Sequence, residues 1–167
     1  MAIIFDLDQT LIDSMAAESM RRSRNWKEVY SMIPFLRPYE GIDKIFEILS
    51  SKQIPHAIVT SSPTPYCKRV ISHLAWDIPI TVCYHDTSRR KPYPDPIILA
   101  VEKLGIAKED ILSIGDDPRD IQASKAAGVK AGAALWGIDN YSSILKENPD
   151  YSFYTVKEFE EYIIKRY

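Results

Sequence analysis

Phe5-Asp6-Leu7-Asp8-Gln9-Thr10-Leu11-Ile12-Asp13-Ser14 follows directly on the apolar run Ala2-Ile3-Ile4 and sets two carboxylates, Asp6 and Asp8, two residues apart. An unbroken apolar run of this kind is the pattern of a strand buried on both faces, and open α/β sheets bind their ligands at the carboxyl ends of such strands. In extended chain, residues i and i+2 share a face, so both carboxylates enter one crevice unless the chain turns first. An Asp-rich loop after a strand is also ordinary turn chemistry. The decision therefore rests on what the other strand ends carry.

Outward from this stretch, short apolar runs alternate with amphipathic ones, the pattern of a parallel sheet covered by helices on both faces. Strands are predicted at Ile3–Phe5, Ala57–Val59, Ile80–Tyr84, Ile111–Ile114 and Lys130–Ala134. Helices are predicted at Pro38–Lys52, with Ile42, Ile45, Phe46 and Leu49 on one face, at Pro63–Leu74, with Tyr66, Val70, Ile71 and Leu74, and at Pro96–Leu104, with Ile97, Val101 and Leu104. Gly105 terminates the last of these. The expected fold class is α/β, a Rossmann-like three-layer α/β/α sandwich with a mainly parallel sheet.

Ser14–Leu36 interrupts the alternation: it holds no candidate strand and sets Trp26, Val29, Tyr30 and Ile33 on one helical face. It is an insert after the first strand, too short for its own core, and is expected to form one or two helices that lean over the sheet edge. Its apolar face must pack on the main domain or on a second subunit. The tail, Tyr151–Tyr167, carries a short Tyr/Phe segment and a helix with Phe159, Tyr162 and Ile163.

The 167 residues suit a single domain over 1–167, with residues 14–36 as the insert. A net charge of -2 argues against a strongly basic nucleic-acid coat. Cys67 and Cys83 fall in a predicted helix and a predicted strand, where ordinary packing as reduced thiols is expected. Met1 leads straight into the first strand without a basic leader, and no apolar run reaches membrane-spanning length. A cytoplasmic protein without membrane association is the expectation.

Three further strand ends repeat the construction of the first. His56-Ala57-Ile58-Val59 ends at Thr60-Ser61-Ser62, which offers hydroxyls and backbone N–H groups ahead of a helix opened by Pro63. A helix N-terminus with free donors favours an anion, and Ser62 could equally cap that helix. Arg89-Arg90-Lys91-Pro92-Tyr93-Pro94-Asp95 follows the third strand, and its prolines are expected to hold an extended path from which Lys91 reaches a fixed point, as a phosphate partner or as the cation that keeps Asp6 ionised. A solvated loop lysine is the plainer alternative. Ile111-Leu112-Ser113-Ile114-Gly115 ends at Asp116-Asp117-Pro118-Arg119-Asp120. Clustered carboxylates facing Asp6 and Asp8 make an all-oxygen site for a hard cation such as Mg²⁺, with Asp116 as the ligand and Asp117 or Asp120 capping the helix near Pro118.

Taken in order, these segments resemble the motifs of the haloacid dehalogenase superfamily: DLDQT its DxDx[TV] nucleophile motif, VTSS its strand-end Thr/Ser motif, KPYPD its lysine motif and GDDPRD its GDxxxD acidic motif. The resemblance implies a Mg²⁺-dependent phosphomonoesterase. Asp6 would form an aspartyl-phosphate, and Asp8 would protonate the leaving alkoxide and then activate water. Mg²⁺ would be held by the Asp6 carboxylate, the Asp8 main-chain carbonyl and Asp116, with Asp117 and Asp120 as supporting acids. Thr60, the Ser61 amide and Lys91 would hold the phosphoryl oxygens. Dehalogenating members lack the second aspartate, so Asp8 points to a phosphatase. Gln9 stands where many relatives have Gly.

Members with a large helical cap at this insertion point close it over small phosphometabolites. The insert here is shorter, which implies a more open crevice suited to a bulky substrate or to a partner that supplies the lid. Arg21, Arg22, Arg24 and Lys27 in the insert, with Arg89 and Arg90, read as a solvated helix face or, more sharply, as an electropositive rim for a polyanion. The expected partner is a phosphorylated small molecule or a bulkier polyanion, with nucleic acid only as substrate and a homo-oligomer as an alternative. A phosphomutase and a non-catalytic binding module that keeps the fold are the competing functions.

Overall fold

The computed structural model describes residues 1–166; Tyr167, the end of the expected tail helix, lies outside the described residues. Six strands, β1 (Ala2–Phe5), β4 (His56–Val59), β5 (Ile80–Val82), β6 (Ile111–Gly115), β7 (Lys130–Ala134) and β8 (Tyr151–Phe153), form one sheet in the order β5-β4-β1-β6-β7-β8. Every pairing within it is parallel. Two short strands, β2 (Ile12–Asp13) and β3 (Arg37–Pro38), pair antiparallel outside it. From β1 the chain winds outward through β4 and β5 and then returns to the other side of β1 at β6. The strand order thus reverses at β1, and the crevice of an open α/β sheet falls there.

Alternation along β1 explains why its run is apolar throughout. Ile3 and Phe5 enter one core with Ile58, Leu112 and Ile114, while Ala2 and Ile4 enter a second with Ala57, Val59 and Ile111. The first core is covered by α3 (Ile42–Ser51), α4 (Thr64–His73) and α8 (Val156–Arg166); the second by α5 (Asp95–Leu104) and α6 (Pro118–Ala127). A shorter helix, α7 (Ser142–Leu145), adds Ile144 to a satellite cluster beside β7. This is the three-layer α/β/α arrangement. Phe159 anchors the first core, edge-to-face with Phe5 at 6.0 Å and with Phe153 at 5.1 Å between centroids.

Three element boundaries differ from expectation for local reasons. The helix expected from Pro38 starts at Ile42, because Arg37 and Pro38 pair with Asp13 and Ile12 and the chain turns at Gly41, whose φ of 96° suits glycine. β5 stops at Val82 because the next residues form a turn, in which Cys83 N–H donates to Asp86 Oδ2 at 2.7 Å. The Lys91–Asp95 loop is a turn, with Tyr93 N–H donating to Arg90 O at 2.9 Å, rather than an extended path; the fixed φ of proline fits a turn as well as an extended chain.

The insert folds as 3₁₀ turns at Met15–Ala17 and Ile33–Phe35 flanking α1 (Glu18–Arg22) and α2 (Trp26–Met32). Val29, Ile33 and Leu36 are buried in the first core, Trp26 lies 6.0 Å from the Tyr66 ring, and the Arg69 guanidinium sits 4.4 Å over Tyr30. Its apolar face is thus spent on α4. Among the described residues no helix is long and apolar enough to cross a membrane.

Phe159→Ala, which empties the junction of the aromatic cluster under the last residues of β1 and β8, is expected to lower unfolding free energy by about 3–5 kcal/mol. Urea titration followed by circular dichroism measures it.

Candidate active site

The carboxyl ends of β1, β4 and β6, with the loop after β5, open into a cavity of about 650 Å³. Asp6 leaves β1 with its N–H still donating to Ile114 O at 2.9 Å, so the ladder to β6 holds its backbone. Lys91 Nζ, 5% exposed, reaches in from the loop after β5 and donates to Asp6 Oδ1 at 2.7 Å and to Asp120 Oδ1 at 2.5 Å. Lys91 is therefore no solvated loop lysine. Burial works against its charge, but the facing carboxylates of Asp120 and Asp6 outweigh that and push its pKa up.

Asp6, Asp116 and Asp120 present oxygens that lie within 4.8 Å of one another. Three carboxylates against one ammonium are short of positive charge. Burial first, then Asp120 and Asp8 against the opposing pull of Lys91, pushes the Asp6 pKa up to about 7. Burial and the charges of Asp6 and Asp120 likewise raise Asp116 well above the ordinary carboxylate range, although Thr10 Oγ1 donates to its Oδ1 at 2.8 Å. Hard oxygens, excess negative charge and a shared focus are what a divalent cation requires.

Asp117 and Asp120 divide the capping work. Asp117 caps α6 by accepting Arg119 N–H at 2.8 Å and is held ionised by the Arg119 guanidinium, while Asp120 Oδ2 accepts Asp117 N–H at 3.1 Å in return. Asp120 is thus both a capping residue and a member of the carboxylate cluster. The close approach of its side chain requires Gly115 on β6: a Cβ there would overlap the Asp120 carboxyl group.

Asp8 points elsewhere. Its Oδ2 accepts Ser62 Oγ at 2.8 Å and pairs with Arg21 Nη1 at 3.0 Å, while its Oδ1 accepts Tyr66 OH at 2.8 Å. Ser62 therefore does not cap α4, where no side-chain cap is made; its hydroxyl is spent on Asp8. Thr60, buried at the end of β4, turns the chain by accepting Ser62 N–H at 3.0 Å on Oγ1, and Ser61 lies on the cavity wall.

Arg21 is no solvated arginine. Its side chain is 16% exposed and bound to Asp8, whereas Arg22 pairs with Glu18 on the same short helix and Arg24 lines the cavity with no ion pair among the described residues. Helical spacing alone grouped the three; the docking of α1 separates them. Ser62, Tyr66 and Arg21 were not legible as Asp8 partners. Tyr66 reads as a core residue on α4, and only its OH shows another use.

The haloacid dehalogenase-like hydrolase family profile matches residues 18–134, a span that includes the strand ends at Thr60 and Asp116 and the loop that carries Lys91, and that begins after Asp8. Phosphoglycolate phosphatase of Escherichia coli (strain K12) is 31% identical over 137 residues, covering 81% of this chain and 54% of its own. The phosphoglycolate phosphatase of Xylella fastidiosa is 30% identical over 146 residues, covering 86% and 60%. The chain spans about half the length of the curated relatives it matches. Among solved structures, a hydrolase from Pseudomonas syringae superposes with a TM-score of 0.82 at 18% identity, covering 99% of this chain and 98% of its own. A haloacid dehalogenase-like family protein from Streptococcus pneumoniae does so at 0.81 and 21%, with 97% of each chain covered. These last two share the fold. The chain belongs to the haloacid dehalogenase-like hydrolase family.

Asp6 ionises near 7 in the fold and at 3.8 ordinarily, so the folded state binds the extra proton between these values and the site's contribution to stability falls as pH rises through that window. In chelator, the melting temperature is expected to drop more steeply from about pH 5.5 to about pH 7.5 for the wild type than for Asp6→Asn. Added Mg²⁺ should raise it more at the higher pH, where it meets ionised carboxylates; differential scanning fluorimetry reads both slopes. Gly115→Ala should displace Asp120 and abolish most of the Mg²⁺-dependent rise while the chain still folds.

Proposed function

We propose that this chain is a Mg²⁺-dependent phosphomonoesterase that works through an aspartyl-phosphate on Asp6. One observation carries the reading: Lys91 binds Asp6 inside a three-carboxylate cluster while Asp8, two residues along, is held apart from that cluster by its own donors. The two aspartates are thereby held in different surroundings, Asp6 beside an ammonium and other carboxylates and Asp8 among two hydroxyls and a guanidinium. The names of the E. coli and X. fastidiosa relatives support a phosphatase, and phosphoglycolate is one substrate to assay.

Asp6 attacks phosphorus, and the bond to the leaving oxygen breaks as the Asp6–phosphorus bond forms. Asp8 donates its proton to the departing alkoxide. It then takes one from the water that attacks the aspartyl-phosphate, which releases phosphate and restores Asp6. Of the four acceptor positions of the Asp8 carboxylate, Ser62 and Arg21 take those of Oδ2 and Tyr66 takes one of Oδ1. That leaves one position on Oδ1 through which a proton could pass in each step. The Thr60 hydroxyl, the Ser61 N–H and the Lys91 ammonium bind the phosphoryl oxygens, where charge accumulates during transfer.

The carboxylates of Asp6 and Asp116 and the Asp8 main-chain carbonyl would hold Mg²⁺, with Asp120 beside them and Asp117 supporting the turn. The cation would neutralise the nucleophile and the phosphoryl group as they approach each other. The cluster's charge deficit fits such an ion. We read residues 1–167 as a single domain in which the insert at 14–36 stands in place of a large cap. The free, buried thiols of Cys67 and Cys83 support a reducing, cytoplasmic setting.

Asp6→Asn should reduce release of phosphate from p-nitrophenyl phosphate to background while preserving the circular dichroism spectrum. Asp8→Asn should lose far more activity on alkyl than on aryl phosphates, because a phenolate departs with little protonation. Equal losses on the two ester types would exclude Asp8 as the acid. EDTA should abolish turnover, Mg²⁺ restore it and Ca²⁺ restore it poorly, the larger ion tolerating a looser geometry.

A further inference from the structure

Gln9 is 7% exposed and sits at φ 67°, a left-handed conformation that glycine adopts freely and glutamine only against a steric penalty. Such strain persists where the surroundings over-determine it, and here they do. Gln9 N–H donates to Ile12 O at 2.8 Å, and Trp136 Nε1 donates to the neighbouring Thr10 O at 2.9 Å. A glycine would relieve the backbone, so the glutamine side chain has to offset the strain by what it holds.

It holds two segments at once. Gln9 Oε1 accepts Ser14 N–H at 3.1 Å and Tyr39 OH at 3.0 Å. Ser14 opens the insert and Tyr39 follows shortly after Leu36, its last residue, so one carbonyl oxygen grips both connections between the insert and the main domain. Burial and the charges of Asp13 and Asp116 push the Tyr39 pKa up, which keeps its OH protonated as the donor.

Ser14, fully buried, passes the grip on. Its Oγ accepts Arg21 Nη2 at 3.0 Å, and Arg21 Nη1 pairs with Asp8 Oδ2 at 3.0 Å. Because Asp8 adjoins Gln9 in the chain, these contacts close a ring that runs from the Asp8 carboxylate through Arg21, Ser14 and the Gln9 side chain back to the Asp8 backbone. Such a ring fixes the carboxylate against the main chain that also carries Asp6. The helix that bears Arg21 needs an anchor of this kind: α1 has five residues and little stability of its own, and an arginine has many rotamers to lose.

We propose that Gln9 is a positioning residue which, by holding Ser14 and Tyr39 together, keeps the Arg21 guanidinium on Asp8 and so orients the carboxyl group that transfers protons. Its kinetic consequence rests on the phosphomonoesterase reading, to which it adds a residue that acts on Asp8 through Ser14 and Arg21.

Two variants separate the side chain's grip from the backbone's strain. Gln9→Gly removes both and so protects folding, while Gln9→Met keeps the length and loses the acceptor. The first readout needs no turnover: in ¹H–¹⁵N spectra of the full chain, the buried Arg21 Nε–H, identified by its loss in Arg21→Lys, should exchange with water about ten-fold faster in both variants than in the native chain. The second is kinetic. On ethyl phosphate Gln9→Gly should lower kcat about ten-fold at unchanged KM, and on p-nitrophenyl phosphate far less, the pattern of a misplaced acid and not of a smaller folded fraction. Overturning results are a native chain without a slowly exchanging Arg21 signal, a signal unchanged in both variants, or equal losses, or none, on the two esters. Should the native chain hydrolyse no ester at all, the phosphomonoesterase reading fails, and the Arg21 exchange alone decides whether Gln9 holds the guanidinium in place.

Discussion

Lys91 Nζ lies 2.7 Å from Asp6 and 2.5 Å from Asp120, nearly sealed from solvent, and that contact ties the end of β1 to the loop after β5 and to the first turn of α6. Taking an ammonium and its carboxylates out of water is expensive, and the cost is recovered only where geometry is tight and the remaining hydrogen-bond positions are filled. Here they are filled: Asp120 also closes the α6 capping box, and Thr10 serves Asp116. Breaking one side of such a pair costs about 3–5 kcal/mol in comparable buried sites, so the loop after β5 has little freedom to leave. Gly115 is the backbone condition for the arrangement, because any side chain there would overlap Asp120.

The same electrostatic constraint separates the two aspartates of the first loop. Asp6 faces other carboxylates and shares a single ammonium with them, a state of charge deficit. Asp8 faces donors from three elements, the Ser62 hydroxyl in the β4–α4 connection, the Tyr66 phenol on α4 and the Arg21 guanidinium on α1. Two identical side chains two residues apart thus sit in opposite environments. The insert contributes to this directly: with Val29 and Ile33 sunk into the core and Trp26 against Tyr66, α1 and α2 are fixed closely enough for Arg21 to reach Asp8. A short insert can in this way fix the side-chain partners of a residue in the cavity.

Much of the fold was legible because its signals are local. Each strand of the sheet's centre is an apolar run, and each run must be buried on both faces, which leaves few arrangements besides a covered parallel sheet. The polar residues at three strand ends could be named for the same reason: Asp6, Thr60 and Asp116 stand where periodicity stops, while Lys91 comes from the loop after β5. Helix starts were less legible, since Arg37 and Pro38 pair with residues 12 and 13, a contact between segments distant along the chain.

The contacts of the site were legible only in part. That an aspartate and a lysine meet can be guessed from strand ends, but which carboxylate caps α6 and which joins the cluster depends on the angle at which α6 leaves β6. Arg21, Arg22 and Arg24 are indistinguishable as a charged run and diverge once α1 docks. The amino-acid sequence by itself determined the alternation of buried strands and amphipathic helices, and with it the edge of the sheet at which the carboxylates collect, because burial of apolar runs is a property of neighbouring residues. Only the tertiary structure decided that Asp120 bridges to Lys91, that Ser62, Tyr66 and Arg21 converge on Asp8, and that Gln9 bonds to both Ser14 and Tyr39. Those outcomes depend on distances between segments that the chain's own periodicity does not encode.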